Sequence, residues 1–304
     1  MSSSSLTVGK RSLRALVAGL FFVGACSQPP PTRVPAPELP AASASPAGSP
    51  SPAVKKDRKI VARKLRYAKR DAEILHLDVF STRDQVAAPF MVVMHGGGWR
   101  RAVKRLWARH AARFVKAGYI VVMPDVRLAP PGGTSLFPAS VQDLSDAVRW
   151  LRRNGAVLGG DPDRIGLIGS SSGAHLVLLA SGTGYGRPDA VASFSPSVDL
   201  AELHERNITR RAMEGFLGCL PQECPDRYRA ASPIHALDRR TPPTLLVHGK
   251  RELMPRRQMV GLERRLQSLG IDVERIEKER TGLHGLELVP LTIDETLRFM
   301  AERV

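Results

Sequence analysis

The stretch GLIGSSSGAH, residues 166–175, sets three serines in a row between glycines. The residues before it, RIGLIG (164–169), form a short apolar run of the kind that becomes a buried strand. The residues after it, GAHLVLLASG (173–182), predict a helix. The turn between them is Gly-Ser-Ser-Ser-Gly, which is the strand–turn–helix setting of a G-x-S-x-G elbow. Such a turn brings backbones too close for a Cβ two positions either side of its central residue. Only Ser171 has Gly169 and Gly173 at those distances, so Ser171 is the candidate nucleophile. Ser170 and Ser172 need no chemistry of their own, and His175 is expected to pack beneath the turn.

Outward from the elbow the pattern alternates. Upstream, AEILHLDVF and FMVVMH predict strands, RLWARHAARFVKAG a helix, YIVVMPD a strand and SVQDLSDAVRWLRRNG a helix. Downstream, VASFSP, TLLVHG and VERIEK predict strands, with QMVGLERRLQSLG a helix between the last two and LTIDETLRFMAERV a closing helix. This alternation predicts a mostly parallel, doubly wound α/β sheet. Residues 201–231, AELHERNITRRAMEGFLGCLPQECPDRYRAA, interrupt it as a polar, mostly helical insertion. In such a fold an insertion there covers the carboxyl end of the sheet, where ligands bind. Directly after the strand FMVVM stands His95-Gly96-Gly97-Gly98-Trp99. Glycines let backbone N–H groups approach a substrate oxygen closely. Gly97, Gly98 and Ser172, the residue after the nucleophile, are therefore the candidate oxyanion-hole donors.

With these motifs in order, the chain resembles the α/β-hydrolase carboxylesterases, of the hormone-sensitive-lipase-like and bacterial feruloyl-esterase-like kind. The resemblance runs over residues 57–304. Besides the elbow and the glycine loop it rests on Asp125-Val126-Arg127-Leu128-Ala129-Pro130, Phe137-Pro138-Ala139, Trp150 and Gly160-Asp161-Pro162. It implies an α/β-hydrolase fold with a helical cap insertion and a triad in chain order Ser, acid, His. His284, in Gly282-Leu283-His284-Gly285, is the base so implied. The family pattern after TLLVHG runs HG-x-x-D with Val-Pro beyond, whereas this chain has His248-Gly249-Lys250-Arg251-Glu252-Leu253-Met254-Pro255. Glu252 takes the acid position on a loop one residue shorter, and Asp199 is the alternative acid, with a helix cap as its other reading. The implied activity is a serine carboxylesterase acting on short-chain or carbohydrate-linked esters. Its rivals are a serine amidase (formamidase- or peptidase-like) on the same fold and a catalytically decayed hydrolase that only binds. No cofactor or metal is implied, since the histidines and cysteines lack ligand spacing.

The 304 residues carry 45 Lys plus Arg against 29 Asp plus Glu, a formal charge of +16. Lys10, Arg11 and Arg14 precede an apolar run over residues 15–25, the layout of a secretory signal and too short for a bilayer span. It ends in Val23-Gly24-Ala25-Cys26, which resembles a bacterial lipobox and implies a signal peptide over 1–25 with acylation of Cys26. The other reading is an ordinary signal with an incidental cysteine. Ser27 after the cysteine implies, by the same resemblance, lipid anchoring at the outer membrane. Residues 26–56 are rich in Pro, Ala and Ser and read as a tether. The basic run KKDRKIVARKLRYAKR (55–70) is either a solvated surface or a contact for anionic lipid heads. Nothing in the chain has the pattern of a nucleic-acid reader. With Cys26 acylated, Cys219 and Cys224 are the two cysteines left, and export to an oxidising compartment predicts that they pair.

Overall fold

In a computed structural model the described residues are 59–304, apart from 71–72, 131, 183–186 and 280–281. The signal, Cys26 and the Pro/Ala/Ser tether lie outside them. In chain order the elements are β1 (Val61–Arg70), β2 (Glu73–Ser81), β3 (Ala88–Met94), α1 (Lys104–Lys116), β4 (Ile120–Pro124), α2 (Ala139–Asn154), β5 (Gly160–Ser170) and α3 (Ser172–Gly182). Then come β6 (Ala190–Phe194), α4 (Leu200–Glu205), α5 (Arg210–Leu217), α6 (Pro225–Ala230), α7 (Pro233–Ala236), β7 (Thr244–Gly249), α8 (Arg256–Ser268), β8 (Val273–Lys278) and α9 (Val289–Ala301).

The sheet runs β1-β2-β4-β3-β5-β6-β7-β8. The pairs β1/β2 and β2/β4 are antiparallel, and every pair from β4 onward is parallel. The central strands are apolar on both faces because both faces are covered. Alternation sorts their side chains: Val92, Val122, Leu167 and Leu246 pack with α2, α3 and α8. Met91, Val121, Ile168 and Val247 pack with Trp107 and Phe114 of α1 and Phe299 of α9. Fully burying side chains of this size stabilises by about 1.5–3 kcal/mol each, so the two faces hold the sheet rigid beneath its loops.

Strand β1 is the element the sequence reading did not foresee. Its charges dominate the pattern, and only Leu65 and Tyr67 pack on the core. A bulge between Arg66 and Ala68 shifts the register part-way along. Lysines and arginines on such an edge discourage pairing with another chain. The opposite edge, β8, is likewise charged: Arg275 pairs with Glu263 at 2.7 Å and Lys278 with Glu295 at 3.0 Å. The parallel strands all end on one side of the sheet, and the loops there carry the glycine loop, the elbow, Glu252 and His284.

Candidate active site

At the end of β5 the chain reverses through Ser171, whose φ is +54°, before α3 begins. A non-glycine residue held there stores strain, and the neighbours over-determine it. The Ser171 N–H donates to the Phe194 carbonyl at 2.8 Å, and the Ser171 carbonyl accepts from the His175 N–H at 3.0 Å. A Cβ on Gly169 would meet the Gly173 carbonyl oxygen at 2.4 Å, and one on Gly173 would meet the Met94 and His95 oxygens at 2.3 Å. Both glycines are thus required by backbone contact. The three serines part company here. Ser170 is buried, its hydroxyl accepting from the Trp107 indole at 3.1 Å, and Ser172 opens the helix. Ser171 alone meets a histidine.

His284 Nε2 stands 2.9 Å from Ser171 Oγ, and its Nδ1 meets Glu252 Oε2. The Glu252 carboxylate is fully buried, and its other oxygen accepts the Gly249 N–H at 3.2 Å. A carboxylate accepts only, so these partners place the proton on Nδ1 and leave Nε2 to accept from the serine hydroxyl. Glu252, from the loop after β7, is the carboxylate that reaches Nδ1. Asp199 caps α4 instead, accepting the Glu202 N–H at 3.1 Å. The histidine's own loop is pinned twice: its N–H donates to Glu287 Oε2 at 3.0 Å, and Gly285 N–H donates to the buried Ser195 Oγ at 2.8 Å. Ser195 has φ +54° and no sequence motif around it, so nothing in the sequence announced this role.

The glycine loop lies against the elbow, a Cβ on Gly96 being 3.1 Å from the Ser170 oxygen and 3.3 Å from Ser171 Cβ. Gly97 has φ +113°, and a Cβ there would lie 2.2 Å from the Arg101 oxygen; Gly98 has φ +63°. Among the described residues the N–H groups of Gly97, Gly98 and Ser172 donate to no protein acceptor. Backbone N–H groups without a partner near a serine at a helix N-terminus suit a developing oxyanion. Beneath them the Trp99 indole donates to His175 Nδ1 at 3.1 Å, and His175 Nε2–H donates to the Ala231 carbonyl at 2.7 Å. Burial pushes the His175 imidazole down to about 4, which keeps it neutral. Phe216 of α5 stacks on Trp99 with ring centroids 4.8 Å apart. The glycine loop, the elbow helix and the insertion are thereby one packed unit. The pattern around the elbow predicts His175 beneath it, whereas no local pattern predicts Phe216, whose partner Trp99 lies far away in the chain.

The charged residues around the glycine loop have structural partners. Lys104 pairs with Asp78 at 2.6 Å and Asp125 at 2.7 Å. Arg127 forks onto the fully buried Asp143, with Nε on Oδ2 at 2.8 Å and Nη2 on Oδ1 at 2.9 Å. Ala129 N–H then donates to the Trp99 carbonyl at 2.8 Å, so this motif braces the loop. In the insertion a disulfide joins Cys219 to Cys224, whose Cα atoms are 6.2 Å apart, at the turn between α5 and α6.

The BD-FAE family model matches residues 77–266, a span that holds the glycine loop, the elbow and Glu252 and stops short of His284. Esterase LipQ of Mycobacterium tuberculosis is 28 % identical over 250 residues, 73 % of this chain and 59 % of that protein. Esterase LipC of the same organism is 26 % identical over 266 residues, 78 % of this chain and 62 % of its own length. This chain therefore spans about three-fifths of those relatives. The crystal structure of an acetyl ester-xyloside bifunctional hydrolase from Caldicellulosiruptor lactoaceticus superposes with a TM-score of 0.67 at 22 % identity, covering 79 % of this chain and 94 % of that one. The shared architecture is the α/β-hydrolase fold.

Proposed function

The chain belongs to the BD-FAE family, and from that premise we propose that it is a serine carboxylesterase. The observation that carries the reading is the continuous line from Ser171 Oγ through His284 to the buried Glu252 carboxylate. Ser171 attacks an ester carbonyl while its proton passes to His284 Nε2. The carbonyl oxygen becomes an oxyanion held by the N–H groups of Gly97, Gly98 and Ser172. One such donor is worth on the order of 3 kcal/mol of barrier. Glu252 holds the imidazole in its tautomer and stabilises imidazolium. Collapse breaks the ester bond, His284 returns the proton to the leaving alcohol, and Ser171 keeps the acyl group. Water, deprotonated by His284, then attacks the acyl-enzyme and frees the acid. The substrates are short-chain or carbohydrate-linked esters, a class supported by the names of the esterase relatives and of the acetyl ester-xyloside hydrolase.

A fluorophosphonate probe tests the nucleophile: wild type takes the label, and Ser171→Ala does not. A folded wild type that stays unlabelled would sink the hydrolase reading. p-Nitrophenyl esters of increasing chain length, run beside acetylated xylan, sort the substrate class. The same proposal places the enzyme outside the inner membrane on a lipid carried by Cys26. Metabolic incorporation of an alkyne fatty acid, lost in Cys26→Ser, supports the anchor, and an unlabelled wild type removes it.

A further inference from the structure

The end of the sheet opposite the candidate active site carries an unusual surface. Val61 pairs with Ser81, and β2 runs antiparallel to β4 with Phe80 opposite Val121. The chain therefore enters the sheet at the amino ends of the parallel strands. Strand β3, which pairs with β5 from Ala88 opposite Gly160 to Met94 opposite Gly169, covers the same distance in 7 residues, so Ser171 stands roughly 20–25 Å away at about 3.3 Å per residue.

Two loops meet here. A Cβ on Gly159 would lie 2.4 Å from the Gln85 oxygen, and Ala88 N–H donates to the Gly159 carbonyl at 3.1 Å. On these loops Val86 is 86 % exposed and Val157 is 82 % exposed. Beside them lies an open groove of about 660 Å³ whose lining includes Arg63, Ser81, Thr82, Arg83 and Val157. Arg63 donates to Ser81 Oγ at 3.2 Å and to the Leu158 carbonyl at 3.5 Å. Among the described residues no carboxylate pairs with Arg63 or Arg83. Two acids of the same loops are engaged elsewhere: Asp84 accepts from Thr82 Oγ1 at 2.7 Å, and Asp161 pairs with Arg164 at 2.8 Å.

We propose that this face is a docking surface for an anionic lipid bilayer, with Val86 and Val157 entering the interface while Arg63 and Arg83 meet headgroup phosphates. Guanidinium groups without a carboxylate partner suit phosphate, and exposed aliphatic tips beside them suit the headgroup–acyl boundary. The occupant is a membrane because β1, the first described strand, enters the sheet at this end, and the sequence that precedes it carries the apolar run and Cys26. To that extent the inference rests on the anchored reading above. Docking this way turns Ser171 away from the lipid toward soluble or polymeric esters.

The test uses the full chain in vesicles, with an environment-sensitive NBD fluorophore on Val86→Cys, on Val157→Cys, or on Leu253→Cys as a control from the loop that holds Glu252. In vesicles containing phosphatidylglycerol, labels at 86 and 157 should shift to the blue and brighten, while the label at 253 stays aqueous. In the same assay Arg63→Gln with Arg83→Gln should weaken the docked population by roughly fivefold per arginine removed. Labels at 86 and 157 that stay aqueous overturn the proposal. So does an equal response at 253, or an equal response in purely zwitterionic vesicles. Flotation of the same samples reads the anchor separately: protein that floats with aqueous labels is anchored but not docked.

Discussion

Acidifying the protein should loosen the support beneath the elbow through His175. In the fold this imidazole is fully buried, accepts from the Trp99 indole and donates to the Ala231 carbonyl. Burial holds its pKa at about 4, against 6.5 for an ordinary histidine. Between those two values the unfolded chain binds a proton that the native chain refuses. The stability from keeping the ring neutral is therefore complete above pH 6.5 and is lost as pH falls toward 4. Each pH unit in that window is worth about 1.4 kcal/mol, so the whole effect is roughly 3 kcal/mol. That is a large part of the 5–15 kcal/mol typical of a folded domain, to order of magnitude. Burial also lowers His95 and His248, which bend the curve the same way, so the assay must isolate one residue. Urea unfolding of wild type and His175→Gln from pH 4.5 to 8 does so. The variant will be weaker at pH 8, by about 1–3 kcal/mol for the hydrogen bonds disturbed. Its stability should fall less steeply on acidification, by up to about 1.4 kcal/mol per pH unit. Parallel curves for the two proteins would refute a neutral, buried His175.

Glu252→Gln should fold normally yet lose roughly three to four orders of magnitude in kcat on p-nitrophenyl acetate, because an amide no longer enforces the His284 tautomer. A loss under about threefold would remove Glu252 from the mechanism. Gly173→Ala should destabilise the protein despite alanine's better helix propensity, worth about 1 kcal/mol, since its Cβ would lie 2.3 Å from two carbonyl oxygens; a raised Tm contradicts the packing described. Alkylation without reductant should leave Cys219 and Cys224 unmodified in mass spectra, and reagent on both means no bridge. Reducing so short a loop should cost at most about 2 kcal/mol, read as a modest fall in the urea midpoint.

How much of this was legible in the sequence follows from how far each interaction reaches. Buried strands announce themselves as apolar runs, so the parallel sheet was readable from segments such as FMVVMH and TLLVHG. The elbow was readable because its demands are local: Gly169, Ser171 and Gly173 lie within five residues, and the contacts that forbid a Cβ recur wherever a strand turns sharply into a helix. The histidine followed from chain order. The acid did not, because choosing between Glu252 and Asp199 depends on which carboxylate reaches Nδ1 across 32 residues of chain. Strand β1 was hidden because an edge strand needs few apolar residues, and its lysines and arginines look the same on a strand as on a solvated coil. The partners of Lys104, the Ser195 hydroxyl under Gly285, and the stack of Phe216 on Trp99 were likewise invisible. Each joins residues distant in sequence through side-chain contact, and no local propensity encodes such a contact; only the packed sheet brings the groups together.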